Sequence, residues 1–206
     1  MYRPQQILSS NTKCGVSLNL TRKNCTPTPI CTSCCYGKTG PINWTYPVRK
    51  QQWVSDYLRG SDISELIKEC RQKQVVRLSG TGDLLPEHMS NCYELAMACP
   101  STQFWGMTRK TDIAREINGI GLPNLNLLVT VDASSPKESW NYQGKMCFGP
   151  RRVQDKVPDD KRIVTVFPYH FAGKVVNGMP RHKKDCRAVW HEISGCLECG
   201  RCWKWR

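Results

Sequence analysis

Four cysteines, Cys25, Cys31, Cys34 and Cys35, fall within eleven residues of the stretch LNLTRKNCTPTPICTSCCYGKT. Thiolates this dense on one loop hold an iron-sulfur cluster or zinc in a reducing compartment and pair as disulfides in an oxidising one. Cys34 and Cys35 are adjacent, so one of them is expected to ligate, and the pattern does not say which. A second group lies near the C-terminus, where Cys186, Cys196, Cys199 and Cys202 are separated by nine, two and two residues. Two-residue spacers let successive sulfurs wrap one tetrahedral ion or one polynuclear cluster. Zinc and a four-iron cluster both take four ligands, so spacing leaves the metal open. The bland alternatives are a pair of disulfides for the first group and a zinc clip pinning the C-terminus for the second.

Composition narrows the compartment and the partners. The 206 residues suffice for one medium domain with its own core. No apolar run approaches a membrane span, and the start MYRPQQILSSN lacks the apolar core of a signal peptide, so a cytoplasmic protein is expected. Thirteen cysteines, an odd number, suit ligands plus core thiols better than a complete disulfide framework. Lys and Arg outnumber Asp and Glu by 30 to 17, a surplus of +13. That surplus favours nucleic acid or another polyanion as partner, although a solvated basic face is the plain reading of the same charge.

The elements that must position these thiols can be read in order. Residues 15–21 (GVSLNLT) alternate as a strand that runs into the first cysteine loop. Helices are expected over 48–59 and from Ser61 through Cys70. Residues 74–79 (QVVRLS) form a strand that ends in Gly80-Thr81-Gly82-Asp83, with a helix opening at Pro86 and running to about Cys99. Strands at 102–107, 126–131 and 162–167 alternate with a helix at 111–118 and a helical turn from Pro136. Five or six such units imply an α/β fold with a parallel sheet, open or closed in part as a (β/α) barrel, because a full eight-unit barrel takes about 250 residues. The distinctive residues fall at strand C-terminal ends, the edge where ligands bind in such folds. Composition changes at Gly178, dividing a core of residues 1–177 from a Cys-rich tail of 178–206.

The head of the chain resembles a radical S-adenosyl-L-methionine (SAM) protein. The likeness rests on the strand LNLT, the loop C-x5-C-x2-C-C-Y and the second strand ending in SGTGDLLPE. It implies a partial barrel of radical SAM type, with a 4Fe-4S cluster on Cys25, Cys31 and Cys34, or Cys35 as third ligand. It also implies Gly80, Thr81, Gly82 and Asp83 near the SAM amine, and Asp132, from LLVTVDASSP, facing the nucleoside. The usual loop spacing of three and two is five and two here, and Thr81 separates the usual glycine pair. Over most of its length the chain is similar to the phage gene product 88 family, through the cysteine loop, RLSGTGD, FWGMTRK and the C-x2-C-x2-C-W tail. That likeness implies a bacterial host's cytoplasm.

Other residues carry less. His88, His170, His182 and His191 are scattered, and His170 stands out only because it follows a strand end. Cys70, Cys92, Cys99 and Cys147 read as buried thiols acting as small hydrophobes, and Cys14 is ambiguous. Trp190, Trp203 and Trp205 beside Lys and Arg suit either base stacking or a cover for the tail's metal site. Three functions follow: an iron-sulfur protein of radical SAM kind, a zinc-bearing nucleic-acid-binding module, or a phage protein that binds a host protein and uses metals only to fold.

Overall fold

The computed structural model describes residues 2–11, 15–38, 40–168, 170–171, 174–175, 178–187, 189–190, 192 and 196–203. Seven strands make one sheet in chain order: β1 (Ser9–Asn11), β2 (Gly15–Ser17), β3 (Val75–Arg77), β4 (Gln103–Thr108), β5 (Leu125–Val131), β6 (Met146–Arg151) and β7 (Ile163–Pro168). β1 and β2 pair antiparallel, and each later neighbour is parallel to the one before.

Parallel neighbours cannot be joined by tight turns, so crossovers must carry the chain back. Between β2 and β3 lie α1 (Pro29–Ser33), α2 (Thr45–Tyr57) and α3 (Ser64–Cys70). Then α4 (Met89–Ala98) precedes β4, α5 (Thr111–Gly119) precedes β5 and α6 (Lys137–Trp140) precedes β6. Beyond β7 come a small hairpin, β8 (His170–Phe171) with β9 (Lys174–Val175), and α7 (Cys196–Cys199).

Alternation along the strands sorts side chains onto two faces. Leu125, Leu127, Val129 and Val131 of β5 point to the helices and join Val76, Phe104, Met146, Phe148 and Ile163 in the main core. The helices answer with residues one turn apart, such as Ile113 and Ile117 of α5 or Cys92 and Leu95 of α4. The opposite face presents Val75, Trp105, Leu128 and Cys147, and the tail covers it with Cys202 and Trp203. Strands apolar on both faces are what a buried parallel sheet requires. The buried thiols Cys70, Cys92, Cys99 and Cys147 fill these cores as small apolar groups.

Residues on or just after all six parallel strands, among them Asn19, Arg77, Trp105, Thr130, Gly149 and Phe167, line a single cavity of about 390 Å³. Six strands laid flat would span roughly 24 Å. One cavity touched by all of them therefore requires the sheet to curl, with its second face inward.

The observed elements depart from the expected ones in ways with physical causes. α2 starts at Thr45 because Pro47 falls in its first turn, where the backbone N–H has no intrahelical partner to lose. β6, expected only as a strand around Cys147, had no legible bounds, since Gly149 and Pro150 interrupt its pattern, and its pairing with β7 is irregular there. β1 is too short and too polar to read as a strand. The tail does not stand apart: Asp185 bridges to Val166 of β7, and the Asp185 carboxylate, buried against Arg151 at 3.4 Å, also accepts from the Trp190 indole N–H at 3.1 Å.

Candidate functional site

The cysteine loop and the glycine turn are brought together by backbone pairing beyond the ends of β2 and β3. Leu18 donates to the Arg77 carbonyl, Gly80 to Leu18 and Leu20 to Thr81. Gly80 leaves room for the Asn19 and Ser17 side chains packed on it. Gly82 sits at φ +70, and a Cβ there would lie 2.5 Å from the Leu20 carbonyl oxygen. Both glycines thus have a packing reason as well as a place on the cavity wall. Tyr36, directly after the cysteines, donates its hydroxyl to the Gly80 carbonyl and ties the two motifs together.

Cys25, Cys31, Cys34 and Cys35 all line this cavity, as do Gly80, Thr81, Gly82 and Asp83, and no disulfide joins the thiols. Burial raises the Cys25 thiol to about 12, with Asp83, Cys35 and Cys31 adding to the rise and Lys110 opposing it. Burial likewise raises Cys31, against the pull of the Arg109 guanidinium, and raises Cys34, whose thiol donates to the Ile30 carbonyl at 2.9 Å. Cys31 and Cys35 both add to the rise at Cys25 and at Cys34, so the loop holds the four sulfurs near enough to act on one another. Among the described residues, no three His, Cys, Asp or Glu side chains come together closely enough to hold a metal ion.

Asp132 takes a different place from the expected one. It is fully buried and is not part of the cavity wall. Its carboxylate accepts from the Thr28 hydroxyl, from the Ser134 N–H and hydroxyl at 2.8 Å each, and from Arg109 at 2.9 Å. Thr28 caps α1 by accepting from the Cys31 N–H, and Ser134 accepts from Ile30. The end of β5 thus pins the cysteine helix to the sheet, and a nucleoside-facing role has no free oxygen to work with. Asp83 is buried too, accepting from Leu84 at 2.8 Å and Arg109 N–H at 3.3 Å, and burial raises its pKa. Lys110 beside it donates to the carbonyls of Asn24 and Leu84.

Two cavity residues do more than the sequence suggested. Arg109 was legible only as part of a strand end, yet it meets Asp132, Cys31 and the Gly149 carbonyl. Arg77 faces inward and stacks over Trp105, 5.3 Å from the ring centre. A charged residue inside an otherwise apolar strand was the available signal for Arg77.

The tail contributes to the cavity wall. Cys202 and Val189 line the same cavity as the loop thiols, whereas Cys186 and Cys199 are not on its wall. Cys186 donates its N–H to the Val166 carbonyl at 2.7 Å, beside β7. The side chains of Cys196 and His170, and all of Cys14, His191 and Trp205, lie outside the described residues. His88 is structural: its Nδ1 accepts from Leu85, its Nε2 meets the Ser55 carbonyl, and burial lowers its pKa to about 4. His182 is partly exposed, donates its backbone N–H to Asp185 and does not line the cavity.

Fold and site define an α/β protein whose thiol-lined cavity opens at the C-terminal edge of a curled, mostly parallel sheet. The sequence model of the gene product 88 family matches residues 3–205, nearly the whole chain, and the chain belongs to that family. No curated protein and no solved structure matches it. No helix among the described residues is long and apolar enough to cross a membrane.

Proposed function

We propose that this is an iron-sulfur protein of radical SAM kind, a partial (β/α) barrel with its catalytic cluster on the N-terminal loop. The observation that carries this reading is that Cys25, Cys31, Cys34 and Cys35 share one cavity with the Gly80–Asp83 turn, at the ligand-binding edge of the sheet. The donors are of the right chemical kind, soft sulfurs with no disulfide between them and two cations, Arg109 and Lys110, that favour the thiolate form which iron requires, and they would have to draw closer around a bound centre, since no three meet closely enough for a single ion. Cys25, Cys31 and Cys34 would be the ligands, with Cys35 the alternative third.

A four-iron cluster held by three of these cysteines would bind SAM and, once reduced by an external electron donor, would supply the electron for reductive cleavage of its sulfonium. The protein's own part is positional. Asp132 and Thr28 hold the cysteine helix, Lys110 braces the turn beside Asp83, and the Tyr36 hydroxyl keeps loop and turn in register. Asp83, on the cavity wall, is placed to receive an ammonium group, whose charge would favour its ionised form. Cys186, Cys196, Cys199 and Cys202 belong to the same proposal as a second, closed centre for an iron-sulfur cluster or zinc.

Anaerobic reconstitution with iron and sulfide tests the reading. A brown protein that bleaches on dithionite and releases 5'-deoxyadenosine from SAM is expected. A colourless protein with stoichiometric zinc would exclude it.

A further inference from the structure

Residues 1–55 contain seven Lys or Arg and no Asp or Glu, and Asp56 is the first acidic residue in the chain. Much of the surplus of +13 is therefore concentrated in the segment that builds the cysteine loop and opens α2. The same segment carries three large rings at the surface: Tyr36 is 50% exposed, Tyr46 58% and Trp44 66%. Lys23, Lys38 and Arg49 are exposed among them. Arg22 donates to Asn43 at 2.7 Å, which joins the cationic turn to the loop bearing Trp44. Tyr46 rests edge-on against Tyr2, 5.7 Å between ring centres, so its ring is held rather than loose. Arg22, Tyr36 and Ile42 also line the cavity, which places the inner end of this surface at the cavity's rim.

We propose that this face binds single-stranded nucleic acid, with Trp44, Tyr46 and Tyr36 stacking on bases and Lys23, Lys38 and Arg49 meeting phosphates, so that the strand runs toward the cavity mouth. Exposed rings alternating with cations are the combination that grips single strands, because every unpaired base offers a flat face and every nucleotide a charge. A duplex hides those faces. A protein partner fits less well, since the centre of a protein interface is poor in lysine and this surface interleaves lysine with its aromatics. The inference stands on charge and exposed rings alone and needs no metal at the thiols.

Fluorescence anisotropy with a labelled mixed-sequence strand about 16 nucleotides long, titrated at several salt concentrations, tests it. RNA and DNA of one sequence show which sugar is preferred, and the matching duplex and heparin serve as charge-only controls. The intact chain should bind the single strand more tightly than either control. The double variant Trp44→Ala/Tyr46→Ala should lose about tenfold or more in affinity with an unchanged salt slope, because no phosphate contact is removed. Lys23→Gln/Lys38→Gln should flatten the slope by about 1.4. Tyr46 packs on Tyr2, so folding is checked on Trp44→Ala alone, whose circular dichroism and melting should match the parent while its affinity falls, and Trp44→Phe should retain most of the affinity. Equal binding of single strand by parent and Trp44→Ala/Tyr46→Ala, or a parent preference for duplex or heparin, would overturn the proposal.

Discussion

At the scale of single residues, the site's chemistry turns on which sulfurs meet. All four loop thiols line one cavity, and the Cys34 thiol also donates to the Ile30 carbonyl, so Cys34 and Cys35 compete for the third ligand position. Cys25→Ala and Cys31→Ala are expected to abolish iron incorporation after anaerobic reconstitution, whereas of Cys34→Ala and Cys35→Ala one should abolish it and the other keep most of it. Iron and sulfide assays on the four variants identify the third ligand. Gly82 makes a separate claim. At φ +70, against the Leu20 carbonyl, any side chain is strained, so Gly82→Ala should cost about 1–3 kcal/mol in denaturant unfolding. A variant as stable as the parent would show that the turn can relax.

At the scale of elements, two contacts decide how the site is held. Asp132, itself fully buried, joins the end of β5 to the cap of α1 and to the largely buried Arg109. Removing one member of a buried ion pair leaves the other charge unpaired, so Asp132→Asn should cost about 3–5 kcal/mol. A double-mutant cycle with Thr28→Val should reveal coupling between the two, since they share one hydrogen bond. His88 joins the start of α4 to α2 through the Ser55 carbonyl, and burial, helped by Arg59, lowers its pKa to about 4. A base whose folded pKa lies below its unfolded value takes up protons first in the unfolded state. The stability it contributes is complete above about 6.5, the ordinary pKa of His, and is lost as pH falls toward about 4. Melting curves across that window should show a decline that His88→Gln lacks.

At the scale of the whole molecule, the tail behaves as part of the core. Cys202 and Trp203 cover Val75, Trp105, Leu128 and Cys147 on the concave face, and Asp185 anchors the segment to β7 through Arg151 and Val166. Deleting residues 178–206 would open that apolar face to water and leave Arg151 without its carboxylate. The truncated chain is expected to bind a hydrophobic dye and to lose sharp thermal unfolding. A truncated chain with the parent's melting transition and no dye binding would show the tail to be an appendage.

The apolar run of 126–131, the helical spacing of 111–118 and the strand-turn-helix passage at Gly80 made the parallel α/β architecture legible in the linear chain, because those patterns reflect local backbone geometry. The clustering of Cys25 to Cys35 was legible for the same reason: neighbours in sequence stay neighbours in space. β6 was hidden by Gly149 and Pro150, whose local preferences give way to pairing with the strands on either side. The meeting of the loop thiols with the Gly80–Asp83 turn, the withdrawal of Asp132 into a clamp on Thr28, and the return of Cys202 to the cavity depended on contacts across tens to well over a hundred residues. Such contacts leave no period in the sequence, because they arise only when the curled sheet brings its strand ends and its C-terminal tail to one place.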